Sequence, residues 1–224
     1  MRKTEVWILA SLILTSCAGL GILSEAQTDF DTGLGLFNRG KYQEAVEYFE
    51  SAVSLEPDFA EAYVYLGRSY LNVREYGKAL PALRTAYNLS PDTVKNEVFN
   101  LLIDALFGAA TTELKKGNIS GSIDRLRETI GLAPDSKRAK DELSDALITL
   151  GRDFLSKGNI DDAIGAYGEA LTLSPDNTRA YLGLAKAFLE DGDIAKALET
   201  IQKAFKIDPK SKEVLKMLGD ILGK

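Results

Sequence analysis

Apolar residues recur along most of this chain at three- and four-residue steps, the spacing that lines up one face of a helix. The stretch AEAYVYLGRSYLNVREYGKALPALRTAYNLSPDT, residues 60–93, shows it best. Tyr63, Leu66 and Tyr70 share one face of a first helix, and Leu83 and Ala86 share one face of a second. Gly67 and Ala79 are small where the two must touch, so the backbones can approach. The same phrase closes each turn of the pattern: LEPDF, LSPDT, LAPDS, LSPDN and IDPKS, with Pro57, Pro91, Pro134, Pro175 and Pro209. The intervals are 34, 43, 41 and 34 residues, a period that marks stacked helix pairs.

The pattern predicts five units, at 26–59, 60–93, 94–136, 137–177 and 178–211, and a final capping helix over 212–224. Gly40, Gly117, Gly158 and Gly192 stand where first helices should stop. Asp58, Asp92, Asp135, Asn177 and Ser211 are candidate caps for the helices that follow the prolines. The two long intervals add nine and seven residues and predict long first helices in units three and four. Seven residues are about two turns and keep the buried face; nine rotate it by about half a turn, which predicts a break near 93–96. Pro81 should delay or kink the start of its helix. One continuous core should run through the stack.

Residues Tyr63, Leu66, Gly67, Tyr70, Ala79, Leu83, Ala86 and Pro91 stand at the spacing of the tetratricopeptide repeat family, which the chain resembles from about residue 27 onward. The resemblance implies an all-α, right-handed α-solenoid of about five helix pairs, and a scaffold whose concave face, lined by first helices, grips a peptide or helix of a partner protein. Some cytosolic members bind a chaperone's terminal carboxylates with a clamp of Lys and Asn. The matching positions here are Phe30, Leu34, Tyr65, Asp104 and Gly108, so that clamp is absent. Concave positions instead read as apolar and basic, and the candidate partner-binding set is Phe30, Val64, Arg68, Asn72, Phe107, Ile148, Arg152, Leu182 and Lys186. Any one of the aromatic members could equally pack between units. Lys186 has Glu190 one turn away, whereas Arg68 and Arg152 have no carboxylate at helical spacing; both are expected to meet carboxylates or carbonyls of a bound partner.

Composition narrows the chemistry. The net charge is −6 and no basic block occurs, which argues against nucleic acid as a partner. There is no histidine and one cysteine, so imidazole-based catalysis and internal disulfides are excluded and the usual zinc and copper sites lose their commonest ligand. Acidic pairs such as Asp161 with Asp162, or Asp191 with Asp193, fall at helix starts and turns, where carboxylates serve as caps. No phosphate-binding glycine loop or Ser-x-x-Lys motif occurs, so neither an enzyme nor a cofactor is expected.

The lone cysteine sits in a different kind of segment. Arg2 and Lys3 precede the apolar run Val6–Thr15, and Leu14-Thr15-Ser16-Cys17 follows. This resembles the bacterial lipobox, which implies a signal segment over 1–16, lipidation of Cys17 and a short tether over 17–27. Two other readings of the same residues stay open: an uncleaved membrane anchor, and secretion with cleavage near Ser24–Ala26. All three place residues 27 onward outside the cytoplasm, since the positive flank stays inside. The expectation is a membrane-anchored scaffold on the extracytoplasmic side of the cell envelope, as a periplasmic outer-membrane lipoprotein. Its role would be in envelope assembly or export; an accessory subunit of an envelope enzyme, or an oligomer built through the last apolar face, is the alternative.

Overall fold

The structure is a computed structural model that describes residues 24–223; the signal segment and Cys17 lie outside the described residues. It is all-helical. Five antiparallel pairs follow in order: α1 (Glu25–Asn38) with α2 (Tyr42–Leu55), α3 (Ala60–Asn72) with α4 (Tyr76–Leu89), α5 (Asp92–Lys115) with α6 (Ile119–Leu132), α7 (Lys137–Ser156) with α8 (Ile160–Leu173), and α9 (Thr178–Glu190) with α10 (Ile194–Ile207). Helix α11 (Lys212–Leu222) closes the series. Each helix packs on the next, and the arrangement is an α-solenoid.

Tight turns join the two helices of each pair, and each needs one residue in the left-handed region. Gly40, Gly117, Gly158 and Gly192 supply it with φ of 76°, 80°, 78° and 84°. In the second pair the residue is Arg74, at φ 63°, a position with no glycine to reveal it in the sequence. The reversed chain then returns an amide to the first helix, as from Lys41 N to Leu36 O at 3.0 Å and from Asn118 N to Glu113 O at 2.9 Å.

Between pairs, the caps depart from expectation. Asn177 accepts from the amides of Arg179 and Ala180, and Ser211 from that of Val214. Asp58, Asp92 and Asp135 do not cap: Phe59 and Pro91 hold the cap positions of α3 and α5, and Ser136 caps α7 through the Ala139 amide. The acidic residues are out of the cap position: Asp58 and Asp135 lie two residues before the first residue of α3 and α7, and Asp92 is itself the first residue of α5. Within pairs, Asn118 and Asp193 cap the second helices α6 and α10.

The first and second helices meet through the small residues. A Cβ on Gly67 would stand 2.5 Å from Leu83 Cγ, and one on Gly151 would stand 2.9 Å from the Tyr167 ring. Pro81 neither delays nor interrupts α4, which runs through it from Tyr76. The amide it lacks would have met the carbonyl of the exposed Gly77, so the loss is open to water.

No break occurs at 93–96 either: α5 is one helix of 24 residues. The half-turn rotation is absorbed by burying two faces. Leu102, Ala105, Leu106 and Ala109 pack into a first core shared with α1–α4. Phe107 and Ala110 pack into a second, shared with α6–α9. Ile103 touches both, and a third core forms around Ala185, Ile201, Ala204 and Val214. The core is thus three successive clusters rather than one, with α5 as the seam between the first two.

Candidate functional site

First helices approach one another along the stack (α1 with α3, α3 with α5, α7 with α9), while no comparable contact joins two second helices among the described residues. Separation on one side and contact on the other bend the stack, so the first helices line its inner face.

On that face, α7, α9 and α11 enclose a cleft of about 590 Å³. Ile148, Leu182, Leu189 and Met217 give it apolar surface, and Arg152, Arg179, Lys186 and Lys216 surround it with cations. Glu213 and Asp220 stand on the α11 side. Arg179 is neutralised by Asp145 at 2.5 Å, and Lys186 reaches Glu190 at 3.7 Å. Arg152 is exposed and has no ion pair or side-chain hydrogen bond among the described residues. Tyr167 of α8 also lines the cleft, its ring wedged between Gly151 of α7 and Gly183 of α9. Burial pushes its phenol above the usual range, against the lowering effect of the nearby Arg152, so Tyr167 is neutral at ordinary pH.

Four of the nine sequence-derived candidates therefore share one cleft: Ile148, Arg152, Leu182 and Lys186. Ile148 is buried and forms part of the wall rather than a projecting contact. Val64, Arg68 and Asn72 lie on α3, away from this cleft. Arg68 is corrected outright, because Glu97 of α5 pairs with it and its guanidinium lies 5.4 Å from the centre of the Tyr65 ring. Asn72 spends its amide on the Arg68 carbonyl at 2.8 Å.

Phe30 and Phe107 are also corrected: each is only 4 % exposed. Phe30 packs on Phe59 and Tyr65, with ring centres 4.9 and 5.7 Å away. Phe107 is covered by the guanidinium of Arg138, 3.9 Å from its ring centre. Both are apolar residues at concave register that the neighbouring unit covers.

The α11 contributions were missed by the candidate set, although the register contained the signal. Ile148 and Leu182 are 34 residues apart, and a further 34 reaches Lys216. A second, more polar groove of about 450 Å³ lies between α3, α5 and α7, beside Arg74, Asp104, Thr111 and Arg138. Among the described residues no cluster of carboxylates or thiols could hold a metal ion, and no helix is long and apolar enough to cross a membrane. The cleft combines apolar surface with a free cation, which suits binding of a segment bearing carboxylates beside apolar side chains.

Comparison with known proteins agrees with this architecture. Two tetratricopeptide repeat models match, at residues 30–93 and 154–221, together more than half of the chain. Mouse sperm-associated antigen 1 is 30% identical over 109 residues, which are 49% of this chain and 11% of that protein. A BBSome complex member BBS4 homolog of Drosophila melanogaster is 26% identical over 183 residues, 81% of this chain and 30% of that protein. The chain thus spans less than a third of the length of these relatives. A crystal structure of a TPR repeats protein from Bacteroides fragilis superposes with a TM-score of 0.67 at 17% identity, covering 90% of this chain and 99% of that one.

Proposed function

From the premise that this chain belongs to the tetratricopeptide repeat family, whose repeats typically serve as non-catalytic protein-interaction scaffolds, we propose that it is a membrane-tethered, extracytoplasmic scaffold. It binds a peptide or helical segment of a partner protein in the cleft between α7, α9 and α11. The observation that carries this reading is the unpaired Arg152 beside Leu182 and Met217 in a cleft large enough for several side chains. A partner segment with an acidic residue next to apolar ones satisfies both surfaces at once. Residues Leu14-Thr15-Ser16-Cys17 support attachment through a lipid on Cys17, and the setting is an envelope assembly or export complex.

A photo-crosslinking side chain at Leu182, introduced in the native envelope, tests the site. It should capture one defined protein, which the same probe at Tyr48, exposed on α2, does not capture. Arg152→Glu should abolish that adduct while leaving the melting curve unchanged; an undiminished adduct overturns the assignment. For the tether, Cys17→Ala should abolish incorporation of labelled fatty acid and leave an unprocessed precursor. Normal processing of that variant would refute lipidation.

A further inference from the structure

First helices line the cleft between α7, α9 and α11, with one contribution from a second helix among the described residues, Tyr167 of α8. At the intervals that separate the prolines, the place of Tyr167 is held in the other units by Phe49, Leu83, Leu126 and Ile201. All five are buried, Tyr167 with 3% exposure. Phe49 shows that packing there asks only for an apolar ring, since it lies against Gly33 as Tyr167 lies against Gly151. The Tyr167 hydroxyl is surplus to the core.

Its position is set by two glycines. A Cβ on Gly151 would stand 2.9 Å from Tyr167 Cζ, and one on Gly183 would overlap the same carbon. The carbon that bears the hydroxyl thus lies level with the backbones of α7 and α9, and the Cζ–Oη bond carries the oxygen past them toward the inner face. Gly183 keeps that way open. Unit two has Tyr65 at the equivalent place, where its ring stacks on Phe49 with centres 5.8 Å apart. The Tyr167 hydroxyl has no hydrogen-bond partner among the described residues, and Ser69 alone among them seals an unpaired side-chain oxygen or nitrogen from solvent, so the Tyr167 oxygen is open to the cleft. Of the charged groups near enough to act on it, Glu190 is held by Lys186, and Arg152 is the unpaired cation described above.

We propose that the Tyr167 hydroxyl and the Arg152 guanidinium form a two-donor site for a single carboxylate of the bound segment, a site that rests on the cleft reading above and names the group the segment presents to it. The neutral phenol donates its proton to one carboxylate oxygen, and the guanidinium donates to the same carboxylate. Hydrogen bonds to an ionised acceptor are about twice as strong as neutral ones, and a ring already fixed by two helices gives up no rotamer freedom to make one. Leu182 and Met217 receive the flanking apolar side chains. An amide in place of the carboxylate removes the charge from both bonds, so the site selects Glu or Asp over Gln or Asn.

The full chain in detergent, isotopically labelled at tyrosine Cζ and methionine methyl carbons, is titrated by nuclear magnetic resonance with acetyl-Leu-Glu-Leu-amide and with its Gln counterpart. Met217 is the only methionine besides Met1, so its methyl signal reports occupancy of the cleft. The Cζ signal missing from Tyr167→Phe reports the hydroxyl. The Glu peptide should move both signals along one saturation curve. Tyr167→Phe should weaken that peptide roughly tenfold by the Met217 signal, weaken the Gln peptide far less, and melt as the parent does. A Met217 signal indifferent to the Glu peptide defeats the cleft reading and this site with it. Occupancy reported by Met217 without movement of Tyr167 Cζ, or with undiminished affinity in Tyr167→Phe, leaves the cleft reading standing and overturns the two-donor site. A Tyr167→Phe melt clearly below the parent's would assign the hydroxyl to the fold and overturn it as well.

Discussion

Arg74 holds the left-handed position between α3 and α4 that Gly40, Gly117, Gly158 and Gly192 hold in the other four turns. A side chain in that region costs about 1–2 kcal/mol, because Cβ crowds the following carbonyl. Arg74→Gly removes this strain, and against it stands the larger conformational freedom of glycine in the unfolded chain, about 0.4–1 kcal/mol. Arg74 is exposed and has no ion pair among the described residues, so little else is lost. The net expectation is a gain of about 0.5–1 kcal/mol, confined to the second unit, since each unit of a solenoid contacts only its neighbours. The assay is native-state hydrogen exchange: amides of α3 and α4 should exchange roughly two- to fivefold more slowly, with little change in α9 and α10. The converse, Gly117→Ala, should destabilise the third unit by a similar amount. If Arg74→Gly is neutral or destabilising, and Gly117→Ala costs nothing, the strain argument fails.

Three further outcomes follow from the packing. Gly151→Leu drives atoms into the Tyr167 ring, which a Cβ alone would approach to 2.9 Å; it should cost about 1–3 kcal/mol and broaden the melt, and an unchanged melt would refute the contact. Asn177→Ala removes the acceptor of the Arg179 and Ala180 amides, at 3.1 and 3.4 Å, and should lower stability by about 1 kcal/mol in denaturant titration. Burial, reinforced by a hydrogen bond to Glu50, holds the Tyr70 phenol above its ordinary 10.0. The fold therefore favours the neutral form: this contribution is complete below pH about 10 and is lost as pH rises beyond it. Tyr70→Phe should lose less stability than the parent between pH 9 and 11.5, and equal losses would exclude Tyr70 as the cause.

The repeat was legible because its determinants are local. A helix face is set by residues three and four apart, and glycine, proline and cap residues act within one turn of themselves. Register alone also brought Arg152, Leu182 and Lys186 into one cleft, since equivalent residues of stacked units occupy equivalent places. What the chain's own sequence determined is therefore the number of helices, their pairing, the glycine turns and the face on which binding residues lie.

The tertiary structure decided which of those residues remain free. Arg68 has no carboxylate at helical spacing, yet Glu97 reaches it from 29 residues away. Phe30 and Phe107 carry the same register as Leu182, but Tyr65 covers one and Arg138 the other, each from the following first helix. The nine added residues of unit three were expected to break α5. A helix tolerates two buried faces when each has its own neighbours, however, and bending the backbone would have exposed hydrogen bonds that the continuous helix keeps. Contacts between units depend on the offset and angle of one helix against another, quantities that no periodicity along a single helix contains.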